Sequence, residues 1–396
     1  MRLTSCTCSH GLDEDVETAL CKVRNWSCLY PAHRHVALNM RKGVNMLSPC
    51  HRVTAISESP RPSARGTQPA TRWDTPFFVG LGKANMFDVF DVYSGVGGFS
   101  AGAKAAGCTP IAGIDCDDTI LRVYGGNTGG RCICARVFDD SVHWPAARSD
   151  LHVHFSPECQ GLSKARRTVD MRRQQEGLAG IRGALDLILE NGYDSWSIEN
   201  VSTPETRSLL QSYADCAPAR VAFTTVDCVD FGVPSTRLRL IAGPPGLIRL
   251  IKETPVQRVS VAEAFRRAGM DPPAPYIRNN SRSRNGGTHQ RSVQGPCHTV
   301  TASHPLTWCN AEGVTVRCLT VAETAVIQGF PRGWLLPTGS RAGIRALGNA
   351  IPPPLAAAIM CAACRAKEVL VHGVPQGGVS VMHNSSKLLL HPAVLK

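Results

Sequence analysis

From Phe87 onward, apolar positions come in short runs separated by glycine turns and by stretches with helical spacing. "MFDVFDVYSG" reads as a strand entering a glycine-rich turn, and "FSAGAKAAG" as a short helix after it. "TPIAGIDCD" is a second strand ending in acids, "TILRVYGGN" a second helix and "LHVHFS" a third strand. "GIRGALDLILENG" has helical spacing, "YDSWSIENV" is a strand closed by an acid and an amide, and "RLRLIAGP" is a further short strand. Strands alternating with helices predict an α/β fold with a mostly parallel sheet. Beyond it, "CLTVAETAVIQGF" predicts a helix and "GNAIPPPLAAAIMCAACRA" a helix opened by prolines. No internal repeat is visible.

The flanks differ from this pattern. Residues 1–84 mix Cys6, Cys8, Cys21, Cys28 and Cys50 with His10, His33, His35 and His51, and end in the Pro/Ser/Arg-rich "SESPRPSARGTQPATRWDTP". They contain no CxxC pair, so they are read as a divergent Cys/His-containing extension and linker, and no metal site is assigned. Residues 85–245 form the sheet domain. A smaller lobe is expected over 246–342, a returning helix over 343–370 and a flexible tail over 371–396. Within residues 246–300, nine Lys/Arg stand against three acids, and "RNNSRSRNGGTHQR" has four arginines and no acid.

Charge and cysteine usage narrow the class. A formal charge of +12 suits a polyanionic partner, with nucleic acid the usual one. The N-terminus "MRLTSCTCSHGLDEDVETAL" has no apolar core of a secretory signal, and no run of apolar residues is long enough for a membrane span. The 17 cysteines are odd in number and lack framework spacing. A reducing, intracellular compartment with free thiols is the expectation.

Four clusters carry candidate chemistry. Tyr93, Ser94, Gly95, Gly97 and Gly98 form a strand-to-helix turn that lets backbone approach a ligand, and its departure from GxGxxG suits a nucleoside cofactor without a pyrophosphate. Asp115 ends the next strand, where an acid either accepts ribose hydroxyls or caps a helix. Cys159 follows a strand end and Pro157, and precedes a basic loop with Lys164, Arg166 and Arg167. It is either a reactive thiol or a small buried residue. Glu199 ends another strand, and Arg237 and Arg239, two apart, share one strand face.

Taken in order, these segments resemble the DNA cytosine-5 methyltransferase family. "FDVYSGVGGFSAGAKAAG" resembles its cofactor motif, "SPECQGLSKAR" its Pro-Cys motif and "ENV" the acid motif. "FGVPSTRLRL" resembles the paired-arginine motif, and "GPCHTVTASH", "RCLTVAETAVIQGFP" and "GNAIPPPLAAAI" resemble the last segments. The resemblance covers about Asp88 to Ala366. It implies a Rossmann-like, S-adenosylmethionine-binding sheet with a smaller basic target-recognition lobe, rejoined by the last helix.

The implied roles follow residue by residue. Tyr93 lies against the cofactor adenine, Asp115 binds ribose and Asn349 stands beside the methionine end. Cys159 is the nucleophile, Glu199 contacts cytosine N3, and Arg237 and Arg239 match the paired arginines, one of which supports the flipped base. Lys164, Arg166, Arg167, Arg282 and Arg284 are the expected DNA contacts. The implied partner is double-stranded DNA, with no membrane and a monomeric chain. Localisation would be nuclear in a eukaryote or its virus, and otherwise cytoplasmic. The alternatives are an RNA-directed (tRNA) relative and a catalytically inactive DNA-binding homologue.

Three positions depart from the family pattern. Glu158 replaces the second proline before the cysteine, and Ser235 stands where a glutamine is usual. Asp139 and Asp140 are the candidates for an acid motif not otherwise found. Neighbouring side chains on extended backbone point to opposite sides, so Glu158 is expected to face away from the sulfur.

Overall fold

The computed structural model describes residues 87–159, 161–162, 170–254, 258–279 and 289–372. The extension over 1–84, Lys164, Arg166, Arg167, Arg282, Arg284 and the segment after 372 lie outside the described residues.

The first sheet runs in the order β3-β2-β1-β4-β5-β7-β6. Its strands are β1 (Asp88–Val92), β2 (Thr109–Asp115), β3 (Arg131–Cys134), β4 (Leu151–Phe155), β5 (Trp196–Asn200), β6 (Ala222–Asp227) and β7 (Leu238–Gly243). All neighbours from β3 to β5 pair parallel, and β7 pairs antiparallel with both β5 and β6. The exception has a local cause. Between β6 and β7 the chain makes only the 3-10 turn Cys228–Asp230, and without a crossover helix it returns antiparallel. The helices are α1 (Gly98–Ala105), α2 (Asp118–Thr128), α3 (Met171–Asn191), α4 (Pro204–Cys216) and α5 (Pro245–Lys252). The strands β3 and β6 lack the apolar runs that mark the others because both are edge strands with no fully buried residue. Helix α4 starts on a capping box between Thr203 and Thr206, with Pro204 in its first turn.

Period-two alternation sends the strands' side chains to two cores. Phe90, Val92, Val153, Phe155, Ile198 and Leu240 pack with α3 and α4. Val89 and Ile241 pack on the other face with Phe99 of α1, with α5 and with α9 (Pro353–His372). The expected lobe boundary at 246 therefore falls inside α5, whose Leu247, Ile248, Leu250 and Ile251 are buried in this second core. Within Ser340–Val369 an 18-residue stretch is apolar enough to cross a bilayer by length and composition, but 72% of that stretch is buried in the protein. Its hydropathy is that of a core helix.

The smaller lobe is an antiparallel sheet, β11-β10-β8-β9, made of β8 (Tyr276–Asn279), β9 (Gln290–Ser292), β10 (Leu306–Cys309) and β11 (Thr315–Cys318). Helices α6 (Val261–Arg267) and α7 (Val321–Gln328) complete it around Trp308, whose ring meets Phe265 edge-on at 5.5 Å. The chain returns to the first sheet through α8 (Ser340–Asn349) and α9.

Candidate active site

The turn after β1 is built on left-handed backbone at Tyr93 (φ 61), Gly95 (φ 51) and Gly97 (φ 84). Two cross-bonds hold it: Ser94 N donates to the Ile114 carbonyl at 2.9 Å, and Gly95 N to Asp115 Oδ2 at 3.0 Å. The other Asp115 oxygen accepts from Asp117 N at 3.1 Å, while Asp117 itself caps α2. The cap is thus Asp117, and Asp115 faces the glycine turn with its carboxyl pushed up by burial.

Gly98 has no room for a side chain, since a Cβ there would stand 2.2 Å from the Ile351 carbonyl oxygen. The α8–α9 junction therefore lies on the turn and places exposed Asn349 beside it. Among the described residues, a Cβ at Gly95 would meet nothing within 4 Å, and the neighbouring Ser94 hydroxyl is buried without a partner. Open space, an orphaned hydroxyl and a carboxyl at one turn fit a nucleoside. Half-buried Tyr93 reaches toward α3, its hydroxyl 3.6 Å from where a Gly180 Cβ would sit. Beneath the turn, Asp91 accepts from Ser100 Oγ (2.7 Å) and N (3.3 Å), and burial pushes its carboxyl up to about 7. Sequence reading missed it as a site group, although it opens the same motif.

The thiol loop leaves β4 and is fixed at each step. Ser156 N donates to the Val92 carbonyl at 3.0 Å, and Asn200 Nδ2 holds the Pro157 carbonyl at 2.8 Å. Leu162 N donates to the Cys159 carbonyl at 3.0 Å, which closes a tight turn. Gly161 presses on the start of α3, where its Cβ would lie 2.1 Å from the Arg173 carbonyl oxygen. Cys159 is half-buried and Glu158 exposed.

The Gly161 contact predicts that Gly161→Ala displaces the loop. Any reaction carried by the Cys159 thiol is expected to slow by roughly 100-fold, the cost of a misplacement near 1 Å, with little change in melting temperature. Rates of thiol modification and of turnover beside a thermal melt check this. An unchanged rate would show that the loop tolerates the shift.

Glu199 and Arg239 form a buried pair, Arg239 Nε to Glu199 Oε1 at 2.7 Å. Both act on the thiol. Burial raises the Cys159 pKa most, Arg239 pulls it down, Glu199 pushes it up, and Arg237 lowers it less.

The two arginines have different work. Arg237 donates to the carbonyls of Val300 (2.9 Å), Gly348 (2.9 Å) and Ala350 (3.1 Å), and its Nε has no partner among the described residues. It braces the smaller lobe and the α8–α9 junction against the sheet, where the sequence suggested a substrate contact. Ser235 belongs to the same seam, bridging to Cys297 and donating to the His298 carbonyl at 3.0 Å. Asp139 bonds to Ser141 in an exposed turn, away from these groups. In the smaller lobe, Asn279, His289, Gln290, Arg291 and His298 line a cavity of about 390 Å³.

The mostly parallel sheet with a glycine turn at its first strand defines a Rossmann-like methyltransferase fold, and a thiol, a carboxyl and a guanidinium meet at its strand ends. Residues 251–364 match the family model of C-5 cytosine-specific DNA methylase. The Type II methyltransferase M.NlaX of Neisseria lactamica is 20% identical over 69% of this chain and 95% of its own. M.AplI of Arthrospira platensis, also a Type II methyltransferase, is 26% identical over 68% of this chain and 84% of its own. An E. coli prophage structure described as a DNA modification methyltransferase aligns with a TM-score of 0.49 and 18% identity, over 70% of this chain and 98% of that one. Over residues 251–364 the chain is thus similar to C-5 cytosine-specific DNA methylases, and over about two thirds of its length to Type II methyltransferases.

Proposed function

We propose that the protein transfers a methyl group from S-adenosylmethionine to C5 of a cytosine flipped out of double-stranded DNA, through a covalent bond between Cys159 and C6. The observation that carries this reading is the meeting of Cys159 with the Glu199–Arg239 pair at the strand ends that also present the glycine turn. When bound, the cofactor supplies an electrophilic sulfonium methyl. Ser94, Gly95, Asp115 and Asn349 would hold it.

Cytosine C5 is too electron-poor to accept that methyl unaided. Addition of the Cys159 sulfur at C6 makes C5 enamine-like and nucleophilic. Glu199, facing N3, stabilises the charge that the addition develops on the ring. Arg239 fixes the Glu199 carboxyl in one orientation and lowers the energy of the thiolate. A stacked base presents neither face to these groups, so it must leave the helix. The basic lobe then supplies backbone and base contacts, and the cavity lined by Arg291 supports that reading.

The test is methyl transfer from labelled cofactor to duplex DNA and to tRNA, followed by bisulfite sequencing of the duplex. Label at cytosine C5 of the duplex is the expected result. Label on tRNA alone would replace DNA with RNA as the substrate, and label on neither would leave an inactive homologue.

A further inference from the structure

The segment over 329–339, between α7 and α8, takes no part in the proposed chemistry, yet it reaches the glycine turn. Pro331 to Trp334 form a tight turn of their own. Trp334 N donates to the Pro331 carbonyl at 3.1 Å, and left-handed Gly333 (φ 80) stands at the third position. The indole then meets the turn after β1: its Nε1 donates to the Val96 carbonyl at 2.9 Å, across 238 residues of chain. A Cβ at Gly97 would stand 3.3 Å from Trp334 Cζ2 and 3.1 Å from Tyr124 Cδ2, so the indole and α2 both close on that glycine. Val96 itself is buried, packed with Phe330, Leu347 and Trp334.

The next residue is tied separately. Asn127, in the last turn of α2, donates from Nδ2 to the Leu335 carbonyl at 2.9 Å and accepts from Leu335 N at Oδ1 at 2.7 Å. A two-point amide bond of this kind fixes both the position and the direction of the Leu335 backbone. Burial does not explain the placement, because Leu335 is 53% exposed. Lys104 of α1 in turn donates to the Asn127 carbonyl at 3.0 Å, so α1, α2 and the segment are laced together beside the turn.

The turn needs such support. Tyr93 (φ 61) is the one non-glycine residue with left-handed backbone among the described residues, and Gly95 and Gly97 follow in the same region. Backbone of this kind persists only where its surroundings over-determine it. The bonds of Ser94 N and Gly95 N come from β2, inside the strand–helix–strand unit that carries the turn. The Trp334 bond comes from outside that unit, from the chain leaving α7 of the smaller lobe.

We propose that this segment is a clasp, with Trp334 and Asn127 as positioning residues that hold the glycine turn in the shape that accepts S-adenosylmethionine. The proposal rests on the cofactor reading above. A turn that keeps the accepting shape only part of the time binds more weakly in proportion, and saturating cofactor restores the shape. Loss of the clasp is therefore a loss of affinity and not of turnover.

The experiment measures binding of S-adenosylmethionine and S-adenosylhomocysteine to the full chain by calorimetry, beside thermal melts and methyl-transfer kinetics on duplex DNA. Trp334→Phe keeps an aromatic ring and removes the N–H, while Asn127→Ala removes both ties to Leu335. Dissociation constants and the cofactor KM are expected to rise roughly five- to tenfold in Trp334→Phe, the scale of one net hydrogen bond. Asn127→Ala should raise them about threefold, less because the freed Leu335 backbone turns to water. In both, kcat at saturating cofactor should stay within about twofold of wild type. Half-exposed Asn127 carries the test should Trp334→Phe fail to fold. Unchanged dissociation constants in the folded variants would show the clasp to be idle. A lower kcat or melting temperature at unchanged dissociation constants would make it a support of the fold alone; either result overturns the proposal. Wild-type protein that binds neither compound would overturn the cofactor reading itself, and the clasp with it.

Discussion

Cys159→Ser protein is expected to form no stable adduct with 5-fluorocytosine DNA and to lose methyl transfer by a factor on the order of 10⁴ or more. The substitution exchanges sulfur for oxygen on the same half-buried loop, so the Asn200–Pro157 bond and the Gly161 contact stay in place. What changes is the acid to be ionised. Burial already raises the thiol, and Arg239 and Arg237 offset part of that. A hydroxyl starts several units higher, beyond what two guanidiniums can recover. Melting temperature and DNA affinity should therefore remain those of wild type while turnover disappears. Residual transfer above a few per cent of the wild-type rate, with no adduct on denaturing gels, would exclude Cys159 as the attacking atom.

Much of this arrangement is legible before any coordinates, for a physical reason. Interior strands of a sheet covered by helices are buried on both faces, so β1, β2, β4, β5 and the antiparallel β7 stand out as apolar runs, and their ends carry the candidate residues. The edge strands β3 and β6 carry no such signature and pass unnoticed. Charge pairs are harder to read. Arg237 and Arg239 share a face as strand periodicity requires, yet only the packing of the Val300 and Gly348 carbonyls makes the first a brace and the second a partner for Glu199. Likewise, spacing alone leaves Asp115 open between ribose contact and helix cap until Asp117 is seen to take the cap. The bonds of buried His152 and His154 to Ser195, Ser197 and Ser156 were within reach: "LHVHF" and "SWSIEN" each alternate with period two, and facing polar positions on paired buried strands must satisfy one another.

Glu199 offers the complementary test, because its carboxyl has two tasks that separate on substitution. Glu199→Gln keeps an oxygen for Arg239 Nε and nearly the same volume, but it removes the charge and the acid. Trapping and methyl transfer are expected to fall by roughly 100- to 1000-fold, the range for loss of one group that stabilises developing charge. Glu199→Ala goes further. It leaves the Arg239 guanidinium buried without its partner, and unfolding free energy should drop by about 3–5 kcal/mol. Replacing both residues, Glu199→Ala with Arg239→Leu, removes the stranded charge, so urea midpoints should recover much of that loss while activity stays absent. Recovery of stability without activity would assign the pair to chemistry at the cytosine ring. Full activity in Glu199→Gln would instead reduce the carboxylate to a structural counter-ion of Arg239, and the stabilising contact at N3 would have to come from another group.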